Sequence, residues 1–282
     1  MKNRNVGQPI LAAAAFQAAL TLLTGTALAQ DKVTVPLSSP NQPAIVTGTL
    51  MSGSVTVMPG MAGQVVVESR LRSGQGDRVR NRERDTPPPG MHRLDVGADG
   101  LNVEEDHNTV TIGGLRTLRN EDLVIEVPVN TSVKLRTLSG GSIDIAGING
   151  DQDVQNMNGS IRLTNVSGSV VAHTLNGSIT AILDRVAQGK PMSFTSLNGK
   201  IDVTLPADTK ARLRLKTDNG EAYTDFDVKM EPDNSRPVIE DARSSGGKYR
   251  IRMERGVYGT INGGGPEYTF QTLNGSIYIH RK

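Results

Sequence analysis

Asp151 and Asp153 are the residues whose type and spacing come closest to chemistry. Side chains at i and i+2 of a strand leave the same face, and a carboxylate pair is what acid–base cleavage of a glycosidic bond requires. The competing reading makes both of them solvated acids beside a turn at Gly150, and no arginine, lysine or aromatic platform for a sugar is evident near them. The bland reading prevails, so no catalytic residue is assigned. The four histidines, His92, His107, His173 and His280, include no pair at metal-ligand spacing. Cysteine is absent, which rules out a thiolate site. Glu104-Glu105-Asp106 reads as a surface turn rather than a hard-cation site, and no metal or other cofactor is expected. Residues 259–265 are glycine-rich but lack the Gly-Lys-Ser/Thr of a phosphate loop and read as a turn. Gly140-Gly141-Ser142-Ile143-Asp144 is only superficially like a calcium-binding nonapeptide, because its glycine–aspartate step does not recur. Seven arginines among three acids between Arg70 and Arg93 could meet an anionic headgroup, lipopolysaccharide or an acidic glycan. The same stretch contains Pro87-Pro88-Pro89-Gly90 and has no apolar periodicity, so it reads as a solvated loop.

The elements that would carry these side chains come from a repeat. Gly141, Gly150, Gly159, Gly168 and Gly177 are spaced nine residues apart. Alternate members share more: Met157-Asn158-Gly159-Ser160-Ile161, Leu175-Asn176-Gly177-Ser178-Ile179, Leu197-Asn198-Gly199-Lys200-Ile201 and Leu273-Asn274-Gly275-Ser276-Ile277, with Asp218-Asn219-Gly220-Glu221-Ala222 as a degenerate copy. Asn-Gly tolerates a positive φ and corners the chain, and Gly159 and Gly177 are expected in that conformation. Apolar residues at period two follow each corner (Ile143 and Ile145, Ile161 and Leu163, Ile179 and Ala181), which is a strand with one buried face. Asn-Gly between short strands also suits an antiparallel meander or sandwich. Recurrence of the same residue types at the same phase favours an all-β, single-stranded β-solenoid of parallel coils of about 18–22 residues, each adding one strand spacing of about 4.8 Å.

Composition bounds the rest. Lys2 and Arg4, an apolar stretch from Ile10 to Leu23 and Ala27-Leu28-Ala29 read as a secretory leader over residues 1–29, cleaved after Ala29. No later run is long enough to span a bilayer as a helix. Beyond the leader, 29 basic residues balance 29 acidic ones, which argues against a nucleic-acid footprint. The eight aromatic residues beyond the leader all lie between Phe194 and Tyr278, so an aliphatic core is expected elsewhere. If a sugar site exists, Tyr249, Tyr258, Tyr268 and Tyr278 are where it belongs. Residues 30–93 read as an irregular β segment with the Arg/Pro-rich loop, and residues 94–282 as the solenoid domain.

The Gly-Ser-Ile and Asn-Gly-Ser-Ile strands, alternating with half-repeats such as Ile148-Asn149-Gly150-Asp151 and Val166-Ser167-Gly168-Ser169-Val170, resemble the bacterial putative-adhesin family of unknown function (DUF4097-like) from about Leu94 to Lys282. That resemblance implies a β-solenoid on an exported protein of the periplasm or cell surface. It also implies a non-enzymatic binding module whose partner is an envelope protein or a glycan, and it carries over no catalytic residue. A polysaccharide-active hydrolase or lyase on the same scaffold is the alternative.

Overall fold

The computed structural model describes residues 31–71, 101–113, 121–232, 238–241, 249–252 and 256–282. The leader with Ala29, the Arg/Pro-rich stretch beyond Leu71, and His92 lie outside the described residues. The protein is all-β, with 23 strands and no helix among the described residues. Accordingly, no helix there is long and apolar enough to cross a membrane.

Period-two alternation builds the strands, and stacking buries one face of each. Every coil gives one strand to each of two sheets. In chain order the coils are β2 (Ala44–Ser52) with β3 (Val55–Pro59), β6 (Thr109–Gly113) with β7 (Glu121–Val127), and β8 (Thr131–Ser139) with β9 (Ile143–Ala146). Then follow β10 (Gln152–Asn158) with β11 (Ile161–Gly168), β12 (Val170–Asn176) with β13 (Ile179–Val186), and β14 (Met192–Asn198) with β15 (Ile201–Leu205). β16 (Ala211–Asn219) with β17 (Ala222–Thr224) and β22 (Glu267–Asn274) with β23 (Ile277–Arg281) complete the set. β11 runs parallel to both β9 and β13, with Ile161 opposite Ile143 and Ile179. An antiparallel meander would have reversed that pairing. The solenoid expected from the repeat is the observed architecture.

Between the sheets lie straight apolar rows. Leu123, Val55, Ile143, Ile161, Ile179, Ile201 and Ile277 are successive neighbours across the first sheet, all buried. Facing them, Leu135, Val154, Ala172, Phe194, Phe270 and Leu215 follow one another across the second. The Phe194 and Phe270 rings stack with centroids 5.1 Å apart. The late aromatics therefore fill the core at one end, and aliphatic side chains fill the rest.

Spatial order departs from chain order at both ends. β2 and β3 insert between the coils β6/β7 and β8/β9. At the other end β22 and β23 insert between β14/β15 and β16/β17. Beyond these, antiparallel strands cover sheet edges that would otherwise offer open pairing. β4 (Gln64–Leu71) lies on β7, β1 (Asp31–Pro36) on β4, and β5 (Asn102–Asp106) on β6. At the far end β21 (Val257–Ile261) lies on β16, and β18 (Val228–Glu231) on β21. β19 (Val238–Asp241) and β20 (Tyr249–Arg252) form a separate hairpin.

Candidate functional site

The corner between the two sheets carries the repeat's polar residues, arranged as two ladders. On the outside, each asparagine amide donates to the asparagine of the neighbouring coil. Asn176 donates to Asn158 (2.8 Å), Asn198 to Asn176 (2.8 Å), Asn274 to Asn198 (2.6 Å) and Asn219 to Asn274 (2.8 Å). A primary amide suits this because it holds a donor and an acceptor that can be used along one axis. Two residues earlier, on the inside, a second set satisfies the corner carbonyls. Thr174 Oγ1 donates to Gly159 O (2.9 Å), Ser196 Oγ to Gly177 O (2.9 Å), Thr272 Oγ1 to Gly199 O (3.0 Å) and Thr217 Oγ1 to Gly275 O (2.9 Å). In the first of these corners Asn156 Nδ2 does the same to Gly141 O at 3.0 Å. The repeated unit is thus Ser/Thr-Leu-Asn-Gly. The hydroxyl residues escaped the sequence reading although they recur at the same phase as the asparagines.

Neither Gly159 nor Gly177 adopts a positive φ, contrary to the expectation from Asn-Gly. Close stacking is what requires glycine here. A Cβ on Gly159 would lie 1.8 Å from Gly141 O, and one on Gly177 2.2 Å from Gly159 O. Gly199 and Gly275 are packed in the same way against the glycine carbonyl beneath them.

Asp151 and Asp153 share a shallow cleft on the outer side of the second sheet, with Lys134, Ser132, Ser169 and Val171. Asp151 Oδ1 accepts from Ser169 N (3.2 Å) and Ser169 Oγ (2.8 Å), and Oδ2 from Lys190 Nζ (2.6 Å). Its own N–H donates to Ser132 Oγ at 3.2 Å. Partial burial alone would raise the Asp151 pKa, but the Lys190 and Ser169 donors outweigh it and hold the carboxyl below the usual aspartate value. Asp153 lies 3.6 Å from Lys134 Nζ. A general acid needs the opposite shift, toward the working pH. Both carboxylates face lysines, and Asp151 ties three successive coils together.

The other candidates disperse. Glu105 accepts from Ser38 N, Ser38 Oγ and Asn108 N, which lower its pKa, and so anchors the β5–β6 hairpin to the turn after β1. His107 sits exposed beside Asp106, and His173 is exposed on the second sheet. No group of three His, Asp or Glu fit to hold a metal occurs among the described residues. Asn262, Gly263 and Gly264 all have positive φ and form the turn after β21. Of the tyrosines, Tyr268 is buried in the core, Tyr258 lies under the Arg212 guanidinium, Tyr249 falls in β20, and Tyr278 stacks outside on Tyr223. A cavity of about 520 Å³ opens at the β16/β17 end, lined by Leu213, Leu215, Ala222, Val228 and Met230.

One surface feature runs along several coils. Strand register aligns Met51, Leu138, Met157, Leu175, Leu197 and Leu273 on the outer side of the second sheet, beside the asparagine ladder. Met51, Met157 and Leu197 are 50, 43 and 38% exposed, and Leu138, Leu175 and Leu273 are half-buried. The result is a straight apolar ridge on a polar face.

No family model matches the chain, and no curated protein does. Among solved structures, it is similar to a putative cell adhesion protein from Clostridium sporogenes ATCC 15579, with a TM-score of 0.42 and 10% identity over 90% of this chain and all (100%) of that one. It is also similar to a putative adhesin from Bacteroides fragilis NCTC 9343, with a TM-score of 0.37 and 9% identity over 90% of this chain and 97% of that one. Likeness at this level carries nothing about ligand or activity.

Proposed function

We propose that the protein is an exported, non-enzymatic, adhesin-like binding module of a bacterial cell envelope, which presents the outer side of its second sheet to an envelope protein. The ridge from Met51 to Leu273 carries this reading. Folding buries the isoleucine rows completely and has no use for a further line of half-exposed leucine and methionine. Contiguous apolar surface edged by polar residues is the mark of a protein-binding face. The solenoid keeps the ridge straight, because the two corner ladders fix each coil on the next. The enzymatic alternative gains no support from Asp151, whose carboxylate is engaged as a clamp.

The test is affinity recovery of the tagged, full-length gene product from its own cell envelope after cross-linking, beside a Leu175→Gln/Leu197→Gln variant. A specific protein partner should be recovered with the wild type and lost with the variant, and mass spectrometry should find the recovered chain starting at Gln30. Equal recovery by both, or no specific recovery by the wild type, would refute the binding face. An intact leader on the recovered chain would refute the export assignment.

A further inference from the structure

The outer face of the first sheet holds a second, chemically different feature at its β17 end. Strand register there sets Asp202, Tyr278 and Tyr223 in one outward row. The Tyr223 and Tyr278 rings stack with centroids 5.2 Å apart and planes within 13°. His280, two residues beyond Tyr278, lies parallel to it within 3° at 6.4 Å. Tyr278 covers one face of Tyr223. No strand pairs beyond β17 in this sheet among the described residues, and Tyr223 is 50% exposed, so its other face looks out from the end of the row.

Hydrogen-bonding groups ring this step. The Tyr223 hydroxyl donates to Glu221, which raises its pKa and keeps it protonated. His280 lies between Asp202 (Nε2 to Oδ1, 3.5 Å) and Asp225 (Nδ1 to Oδ2, 3.9 Å). Lys200 meets Asp202 at 3.0 Å, and Asp225 Oδ1 also accepts from Arg281 N. Asp225 and His280 have about half of their side-chain surface exposed. The patch is therefore aromatic at its centre and richly polar at its rim. Its charges are mixed: the carboxylates of Asp202, Glu221 and Asp225 stand beside the cationic residues Lys200 and Arg281.

We propose that this step binds a neutral glycan, with a hexopyranose ring stacked on the free face of Tyr223 and its hydroxyls taken by Glu221, Asp225 and His280. A hexopyranose has the matching two-sided character, with C–H groups on its face and hydroxyls around its edge. A protein hot spot would instead want apolar side chains around the ring to exclude water, and carboxylates and an imidazole stand there. Three carboxylates against two cations suit a neutral sugar better than an acidic one. Tyr278 acts as a positioning residue that holds the Tyr223 ring upright. The step lies on the other sheet from the Met51–Leu273 ridge, so it stands or falls independently of that surface.

The experiment titrates the mature protein with hexaoses of β-1,4-glucose, β-1,3-glucose, α-1,4-glucose and β-1,4-N-acetylglucosamine. Binding is followed by calorimetry and by tyrosine fluorescence, which no tryptophan obscures. At least one hexaose should bind the wild type. Tyr223→Leu should weaken it by about tenfold, the worth of one aromatic contact, with the thermal transition unchanged. Tyr223→Phe should retain most of the affinity, and Lys134→Ala, on the other sheet, all of it. Should Tyr223→Leu disturb the edge strand, Asp225→Asn provides the second variant, and it should weaken binding without moving the transition. Failure of all four hexaoses to bind would overturn the proposal. So would binding that neither Tyr223→Leu nor Asp225→Asn weakens, or capture of an envelope protein through Tyr223 in place of a sugar.

Discussion

At the scale of single residues, the corner glycines and Asp151 show how little freedom stacking leaves. Gly177 has no positive φ, yet a methyl group there would sit 2.2 Å from a backbone carbonyl that cannot swing aside without moving the next coil. Gly177→Ala should therefore cost about 1–3 kcal/mol, as overpacking does, measured by urea unfolding. Gly113→Ala is the control, since no described residue lies within 4 Å of its added methyl and its φ is not positive; it should be nearly neutral. Equal stability of the two variants would refute the stacking argument. Asp151 allows a pH test. Its folded pKa lies below the usual aspartate value, so its stabilising effect is present above that value and fades as the pH falls through the folded one. Because the pair with Lys190 is about half exposed, the effect is modest, about 0.2–1 kcal/mol. Wild type and Asp151→Asn should differ in urea midpoint at neutral pH and converge in acid. A gap that persists or widens in acid would show that the carboxylate is not the source.

At the scale of the element, strands and corners were legible in the sequence because each coil repeats the same small set of constraints. Ile-x-Ile fixes one buried face, Asn-Gly fixes the corner, and recurrence in phase selects parallel stacking over hairpins. Parallel stacking also sets the outward residues in register, and Asp144 and Arg162 of neighbouring coils meet at 3.0 Å. The inner ladder was not read, because a Thr or Ser just before Leu-Asn-Gly looks like any solvated residue until the carbonyl it serves is in view. The ladder gives Thr174 a definite role. It is fully buried, and its hydroxyl is the side-chain donor to Gly159 O. Thr174→Val preserves the shape and removes the donor, and should cost about 1–3 kcal/mol, the penalty for a buried group left unpaired. Thr180→Val, outward on the next strand, should be close to neutral. Calorimetric transitions of the two variants compare them directly. A Thr174→Val protein as stable as the wild type would reduce the inner ladder to a geometric coincidence.

At the scale of the whole molecule, coil order was beyond the sequence. Local pattern specifies that Leu273-Asn274-Gly275-Ser276-Ile277 forms a corner and strand, but not which coil it stacks on. The degenerate copy Asp218-Asn219-Gly220-Glu221-Ala222 suits the outermost place, where, among the described strands, β17 has a partner on one side only and Ala222 is exposed. The better copy, with Ile277 and Ile279, fills the fully buried place between. This inversion has a mechanical consequence. In a linear solenoid, removing the last coil in sequence breaks one interface between repeats. Here β22/β23 contacts β14/β15 on one side and β16/β17 on the other, so its removal breaks two and, among the described strands, leaves β16 joined only to β21. A chain ending at Gly265 should lose protection over residues 211–232 in limited proteolysis. A shorter chain ending at Pro206 removes the dangling coil as well and should stay protected up to β15, its remaining coils keeping their neighbours. If residues 211–232 remain as protected without β22/β23 as with them, that segment holds itself together, and the inserted coil is not what binds it to the stack.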